Sequence, residues 1–451
     1  MTRTTISIRG ARSPLALACM LAALVACDPS KLIKVQDPDV ALPATLHSKQ
    51  ALPTVRNGVI GDFAVAYGGS GNETEEGQIS FSGLVTDELV NSETFPTRIE
   101  LDRRLTIGSH AQNNADNQDV FLELSRARAF ADFASARYTE FDAGNEGHAE
   151  VLNLGAFAKV LFAENYCSGV PFSTLNDDGT ITFGDPLTTE QTLQSALAQF
   201  DSATTIAAAV GSDVQTDLAA VGKARALMDL DRYADAVATL SAAGVPDDFE
   251  YDIEYSDNST RQNNGVWEFM FNEGRWSVAD NEGINGLDFV SAHDPRVQTA
   301  DGGIGFDNST PLILPLKYSD RGSFIPLATG IEARLIEAEA ALSSGNSGTF
   351  MTLLNALRTS HGMSSLADPG SATARQDLLF RERAFWLYLT SHRLGDLRRL
   401  IRQYSRNPES VFPTGLYFKG GTYSNGVNLT IPINEQNNPN SPSAGCLNND
   451  A

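Results

Sequence analysis

The sequence lacks the short motifs that mark the common enzyme classes. It contains no His-Glu-x-x-His zinc motif, no Gly-x-Ser-x-Gly nucleophile motif and no Walker-type phosphate loop. Its six histidines are scattered through 451 residues, and none has a second histidine at metal-ligand spacing. We therefore expect no metal and no cofactor, and we expect a protein that binds rather than catalyses.

Long apolar stretches are also scarce, and the one prominent run covers residues 15–26. Three arginines precede it, and no acid does. A run of this length is typical of a signal peptide and too short to span a bilayer. It ends in Leu24-Val25-Ala26-Cys27, which resembles the lipobox of bacterial lipoproteins, so we predict lipid attachment at Cys27. The alternative is an ordinary secretory signal that contains a cysteine by chance.

Basic residues are outnumbered, with 33 lysines and arginines against 56 acids. Removal of residues 1–26, which carry three arginines and no acid, would change the formal net charge from −23 to −26. So acidic a body repels nucleic acid and anionic lipid, which argues against a polyanion as partner. With 42% hydrophobic residues the chain can still bury a large core, so it is not a disordered acidic chain.

Cysteine is rare, with four in the whole sequence. Cys19 lies in the predicted signal peptide and Cys27 at the predicted lipidation site, which leaves Cys167 and Cys446. Disulfides persist in exported proteins, so we predict that these two pair and hold the polar C-terminal tail against the body. Two free thiols are the alternative.

Apolar residues recur mostly at helical spacing. The pattern predicts helices over Phe121–Tyr138, about 150–166 and about 189–208. Small residues between Val221 and Val237, and again near Ala338–Leu357, match the two-helix unit of tetratricopeptide repeats, in which small side chains let paired helices approach closely. The fold class predicted is mainly α: an irregular tetratricopeptide-like helical-repeat scaffold with a loop-rich region that contains small strands.

The region from about 245 to 330 carries that loop-rich texture, with many glycines, asparagines and aromatics. Trp276, Tyr255 and Trp267 are its candidate ligand-binding residues, because aromatic rings pack on the apolar faces of sugars. Trp267 lies in an alternating Val-Trp-Glu-Phe-Met-Phe stretch that also fits a buried strand. The polar segment 87–102, with Phe95-Pro96 at its middle, is expected to line the same face.

Five separated stretches of this chain resemble the SusD/RagB family of outer-membrane nutrient-uptake lipoproteins. They are Ala156–Lys159 with Ser168–Phe172, Arg334–Leu342, Leu354–Arg358, Glu382-Arg383 with His392-Arg393 and Asp396–Arg399, and Ile431–Glu435 with Asn438–Asn440. They follow the order of the family and extend over nearly the whole chain. Two positions depart from its motifs: Trp386 replaces a glutamate, and Thr390-Ser391 replaces a Glu-Gly pair.

The resemblance implies a surface lipoprotein of the outer membrane, anchored there by its acyl chains, that captures an oligosaccharide or similar nutrient and passes it to a TonB-dependent transporter. Asp28 after Cys27 would favour the inner membrane under one sorting rule, but the family pattern favours the outer membrane. The predicted division is a signal peptide over 1–26, a tether over 27–45 and a SusD-like domain over 46–451. That domain comprises a helical scaffold (about 46–244 and 330–404), a loop-rich ligand face (about 245–330) and a C-terminal coil (405–451).

Arg393, Asp396 and Arg399 are spaced three apart, which predicts an ion network on one helix face with a structural role. A second functional hypothesis comes from the repeats alone. The chain could be a lipid-tethered scaffold for protein partners with no small-molecule ligand. Burial of Trp276 and Tyr255, together with the absence of an open cleft, would favour that alternative.

Overall fold

Five successive helices build the first part of the body in the computed structural model, which describes residues 46–72, 75–176, 180–441 and 445–451. The residues from Ser48 onward form one compact unit. The five helices are α5 (Ala115–Phe141), α6 (Glu146–Asn165), α7 (Thr189–Val210), α8 (Asp213–Asp229) and α9 (Tyr233–Ala243). Each packs against the next. This matches the helical periodicity of the sequence.

Four shorter helices precede them, namely α1 (Leu52–Gly68), α2 (Gln78–Val85), α3 (Pro96–Asp102) and α4 (Ser109–Gln112). The starts and close approaches of the long helices follow from single residues. Thr188 begins α7 through a capping box with Gln191. A side chain at Gly222 on α8 would collide with the rings of Phe200 and Phe157, so a glycine is needed where α8 crosses its neighbours.

A second helical group begins at Gly330. Its members are α11 (Gly330–Ser343), α12 (Ser347–Ser360), α13 (Ala372–Trp386) and α14 (Arg393–Arg402). Helix α11 packs on α9 and on α12, so the second tetratricopeptide-like unit continues the first. The predicted fold class, a mainly α irregular repeat scaffold, is confirmed.

The strands are short and pair two by two in antiparallel ladders. They are β1 (Leu89–Asn91) with β7 (Trp276–Val278), β2 (Val170–Pro171) with β5 (Pro186–Leu187), β3 (Thr174–Leu175) with β4 (Ile181–Thr182), β6 (Glu250–Ile253) with β10 (Ile325–Thr329), and β8 (Thr299–Ile304) with β9 (Pro311–Pro315). The strand interpretation of residues 266–271 is wrong. Gly265–Trp267 form a short helix, α10, which continues into a π-helical turn over Glu268–Asn272. The Asn264 side chain accepts from the Trp267 N–H and begins that helix, which a six-residue apolar pattern cannot reveal.

A buried ionic network fixes α14 against the rest of the body. Asp396 binds Arg383 (2.8 Å) and Arg399 (2.9 Å), and Arg399 also binds Glu339 (3.0 Å). The prediction that Arg393 forms an ion pair within this network is wrong. Its guanidinium instead binds Asp87, on the loop after α2 (2.6 Å). Each buried charge thus has an opposite charge beside it, as its desolvation requires.

The C-terminal tail is fixed by a disulfide between Cys167 and Cys446, whose Cα atoms lie 5.5 Å apart. The prediction of this pair is confirmed. Backbone hydrogen bonds beside both cysteines also fix the tail: the Cys167 N–H donates to the Leu429 carbonyl, and the Leu447 N–H donates to the Ser168 carbonyl. Cys27, the signal peptide and the whole tether lie outside the described residues and stay predictions.

Candidate functional site

Two of the three aromatic candidates are buried. The Trp276 side chain is fully enclosed on β7 and packs near Phe269 and under the Arg98 guanidinium. Tyr255 is 5% exposed, and its hydroxyl donates to the Ala64 carbonyl (2.8 Å). Neither ring can offer a face to a sugar, so both assignments are corrected. Gly274, Arg275 and Ser277 beside Trp276 are residue types typical of an exposed stretch, but Arg275 is itself buried beside a carboxylate partner.

Trp267 is half-buried on α10 and remains a candidate. Its ring lies parallel to that of Phe271, with centroids 5.4 Å apart. The guanidinium of Arg321 lies 5.5 Å from the Trp267 ring centroid. These two neighbours occupy much of the indole surface, so Trp267 alone makes a small platform.

A set of exposed phenylalanines forms a better platform. Phe95, Phe306 and Phe418 are 46%, 46% and 49% exposed. The rings of Phe95 and Phe306 stack with centroids 6.5 Å apart, and the Arg275 guanidinium lies 5.3 Å and 4.7 Å from those two centroids. We call Phe95, Phe306 and Phe418, with Arg275 and Lys419, the aromatic face.

Lys419 joins the loops of the aromatic face. Its ammonium donates to the side chain of Asn91 (2.8 Å) and to the Glu93 carbonyl (2.6 Å), and it pairs with Asp307 (2.8 Å). Burial raises the pKa of Asp307, but Lys419 and Thr310 outweigh that effect and hold the pKa well below its usual range. The loop that carries Phe418 is therefore bound to the loops beside Phe95 and Phe306.

The cations under the aromatic face are neutralised by acids. Arg275 binds Glu93 (2.7 Å) and Glu273, while Arg98 binds Glu93 (3.1 Å) and Glu76. Burial raises the pKa of Glu93 and, to about 8, that of Glu76. The face thus presents ring planes and polar edges with little net charge, which suits a neutral polyhydroxy ligand more than a strongly charged one.

Two buried acids hold the base of the Phe418 loop. The Tyr417 hydroxyl donates to Asp102 (2.7 Å), and the Tyr423 hydroxyl donates to Glu282 (2.9 Å). Asp102 and Glu282 also influence each other's ionisation, and we call them the carboxyl pair. Burial raises the pKa of Asp102 to about 6, and burial together with the Asp102 charge raises the pKa of Glu282 well above its usual value. The folded protein therefore binds protons at this pair more tightly than the unfolded chain does.

The segment 87–102 serves two roles. Phe95 at its middle reaches the aromatic face, as the sequence suggested for this stretch, whereas Asp87, Glu88 and Asp102 are fully buried and bind other parts of the body. Sequence reasoning missed Phe306 and Phe418. Both occur in turns, in Gly305-Phe306-Asp307-Asn308 and in Phe418-Lys419-Gly420-Gly421, and a large ring beside turn residues is the signal that could have found them.

Beyond the aromatic face, open grooves run between the repeat helices. One of 780 Å³ lies between α7, α8 and α9, and one of 740 Å³ lies between α9, α11 and α12. Among the described residues, no three histidine, cysteine, aspartate or glutamate side chains group as a metal site. None of the helices in the described ranges has both the length and the apolar character needed to cross a bilayer.

Solved structures with the same architecture come from Bacteroides. The surface glycan-binding protein A of Bacteroides thetaiotaomicron superposes with a TM-score of 0.66 at 12% identity, covering 89% of this chain and 100% of that one. A SusD-like protein of Bacteroides fragilis gives 0.60 at 12% identity (88% and 96%), and a SusD superfamily protein of Bacteroides vulgatus gives 0.57 at 14% identity (87% and 97%). No family model and no curated protein matches the sequence. The resemblance that the motifs indicated is thus confirmed in three dimensions, and the chain has the fold of the SusD superfamily.

Proposed function

We propose that this chain is a SusD/RagB-type lipoprotein that captures an oligosaccharide or similar nutrient on its aromatic face and delivers it to a TonB-dependent transporter. The observation that carries the proposal is the exposed stack of Phe95 on Phe306, bridged by Arg275. Large exposed rings held in fixed positions mark a binding surface. Sugar rings have apolar faces that such rings can cover.

The names of fold relatives agree with a glycan as ligand. One is a surface glycan-binding protein, and another, from Bacteroides vulgatus, is a SusD-like carbohydrate-binding protein. The predicted lipid on Cys27 would hold the protein at the outer membrane, facing outward, next to its transporter. The helical grooves offer a broad surface for that partner.

A lipid-tethered protein scaffold is the second candidate. The burial of Trp276 and Tyr255 favours it, and so do Leu416 and Ile284, which are 82% and 76% exposed. Exposed aliphatic side chains are typical of protein contacts rather than sugar sites. The open grooves and the phenylalanine stack favour nutrient capture, so the two hypotheses need a direct test.

Glycan binding is tested with a Phe95→Ala/Phe306→Ala double variant and a panel of oligosaccharides, using isothermal titration calorimetry. We expect at least one glycan to bind the wild type, and we expect the double variant to bind it about a hundredfold more weakly, from ~1.5 kcal/mol for each of the two covered phenylalanines. Phe183→Ala is the matched control, because Phe183 is similarly exposed (41%) and follows β4, away from this stack. Equal loss in the control and in the double variant would contradict the assignment of the face.

The partner is tested by pull-down of the lipidated protein from detergent-solubilised outer membrane, with mass spectrometry of what is recovered. We expect a stoichiometric TonB-dependent transporter. Recovery of the protein alone, or its fractionation with the inner membrane, would overturn the delivery step and leave the scaffold hypothesis ahead.

A further inference from the structure

A cavity of 490 Å³ lies at the end of α13 and shares no lining residue with the aromatic face. It is lined by Pro295, Arg296, Gln298, Leu316, Lys317, His361, Met363 and Trp386. We call it the Trp386 pocket. The turn before β8, the residues after β9, the turn after α12 and the last residue of α13 form its walls, so four separate segments converge there.

The wall of this pocket is unusual for so acidic a protein. None of the described residues that line it carries a carboxylate, whereas three of them carry a basic side chain: Arg296, Lys317 and His361. Three other cavities of the described residues, with volumes of 620–780 Å³, each have at least one acid in their walls. The chain as a whole, with a net charge of −23, repels anions. This pocket is a local exception, because the described residues of its wall include cations and no acids.

Lys317 supplies the charge that this pocket can offer. Arg296 is held from behind by Asp294 (2.7 Å) and Glu382 (2.7 Å), so its charge is compensated. The Lys317 ammonium instead donates to a backbone carbonyl, that of Tyr388 (2.5 Å). Burial lowers the pKa of Lys317 to about 8, while the nearby charges of Glu88 and Glu250 favour its charged form.

The remaining walls fit a compact ring. The Trp386 ring centroid lies 5.0 Å from the Arg296 guanidinium and 4.8 Å from the centroid of the His361 ring, with the two rings steeply inclined to each other. The indole N–H has no acceptor within the described ranges. Met363, Leu316 and Pro295 add apolar surface, and the volume suits a ligand of one or two sugar rings.

We propose that the Trp386 pocket binds a small carboxylate-bearing ligand, with the carboxylate near Lys317 and the body of the ligand against Trp386. A carboxylate beside the Lys317 ammonium would form a charge-assisted hydrogen bond, the stronger kind. The carboxylate could belong to an acidic sugar or to another organic acid. This site is independent of the aromatic face, and neither proposal requires the other.

The test uses the full chain labelled with ¹⁵N-tryptophan, whose indole signals are followed by NMR while ligands are added. Trp386→Phe assigns the signal of Trp386 among the three tryptophans. The probes are D-glucuronate, its uncharged methyl ester, D-glucose and benzoate. We expect saturable shifts of the Trp386 signal with a carboxylate probe and none with the ester or glucose. Binding of glucuronate alone would assign an acidic sugar, and binding of benzoate would assign a non-sugar acid.

Variants of Lys317 test whether its ammonium binds the carboxylate. Lys317→Met should weaken binding of the carboxylate probe by at least about tenfold, as expected for loss of a charge-assisted hydrogen bond, while Lys317→Arg should retain it. Lys223→Met, which removes a lysine from the α7–α9 groove, is the matched control and should bind like the wild type. The comparison of glucuronate with its methyl ester uses only the wild type, so it tests the need for a carboxylate even if Lys317→Met fails to fold. Equal shifts with glucose and glucuronate, or no shift of the Trp386 signal with any probe, would overturn the proposal. The Phe95→Ala/Phe306→Ala variant should leave these shifts unchanged.

Discussion

Replacement of Asp102 by asparagine tests how the carboxyl pair holds the loop of Phe418. The folded protein binds the Asp102 proton more tightly than the unfolded chain does, because burial raises its pKa from 3.8 to about 6. The corresponding stabilisation is present below about pH 4 and is lost as the pH rises through about 6. At ~1.4 kcal/mol per pH unit, the loss amounts to about 3 kcal/mol of unfolding free energy.

The Asp102→Asn side chain cannot ionise, so the variant should escape that loss. Its amide oxygen can still accept from the Asn91 N–H and the Tyr417 hydroxyl, and its NH₂ group can donate to Glu282. We expect the stability of the variant relative to wild type to rise by up to about 3 kcal/mol between about pH 4 and about pH 7. Acids that do not interact with Asp102 titrate alike in both proteins, so their contributions cancel, whereas loss of the Asp102 charge also makes the pKa of Glu282 less raised.

The measurement is urea unfolding at a series of pH values, followed by tryptophan fluorescence. Trp276 is fully buried and reports on the loss of this region. Asp235→Asn is the matched control, because Asp235 forms an exposed pair with Arg232 and its removal should give a difference that hardly varies with pH. A constant difference between the Asp102 variant and wild type across the pH range would refute the raised pKa of Asp102.

Two further predictions concern the scaffold. Cys446→Ser removes a disulfide with a sequence separation of 279 and should lower the unfolding free energy by up to about 4–5 kcal/mol. A reductant should produce the same loss in the wild type and none in the variant. An unchanged urea midpoint of the variant would contradict this prediction. Asp396→Asn should cost about 3–5 kcal/mol, because Arg383 and Arg399 lose their shared carboxylate inside the protein. Burial raises the pKa of Asp396, but those two guanidiniums outweigh it and hold the pKa well below its usual range, so the loss should persist at all pH values where the wild type is folded. A cost no larger than that of Asp235→Asn would show that the network contributes little.

The helical scaffold could be predicted because its signals are local. The spacing of apolar residues, the cap at Thr188 and the small residue at Gly222 each act within a turn or at one helix crossing. The disulfide could be predicted by elimination in a chain with four cysteines. Partner choice within the ionic network could not, because Arg393 meets Asp87 from a part of the chain 306 residues away, and sequence spacing says nothing about that approach.

The site was predicted less well, and burial explains why. Trp276 has polar neighbours in sequence, yet those neighbours are satisfied inside the protein: Arg275 by Glu93 and Glu273, and Ser277 by the Ile313 N–H. Polar flanks indicate exposure only when such partners are missing. The exposed rings of Phe95 and Phe306 come from distant parts of the chain, and their stacking is a product of the fold.

In this loop region, the residues that fix the loops therefore differ from the residues that are exposed to a ligand. Buried pairs, such as Lys419 with Asp307 and Tyr417 with Asp102, fix where each loop lies. The rings at the loop tips take little part in those pairs, and they project from the surface. A change of Phe95, Phe306 or Phe418 can then alter the ligand while the buried pairs stay intact, whereas a change in the pairs would move all three rings together. Variants of the tips should accordingly alter affinity and leave stability nearly unchanged, and variants of the pairs should alter both.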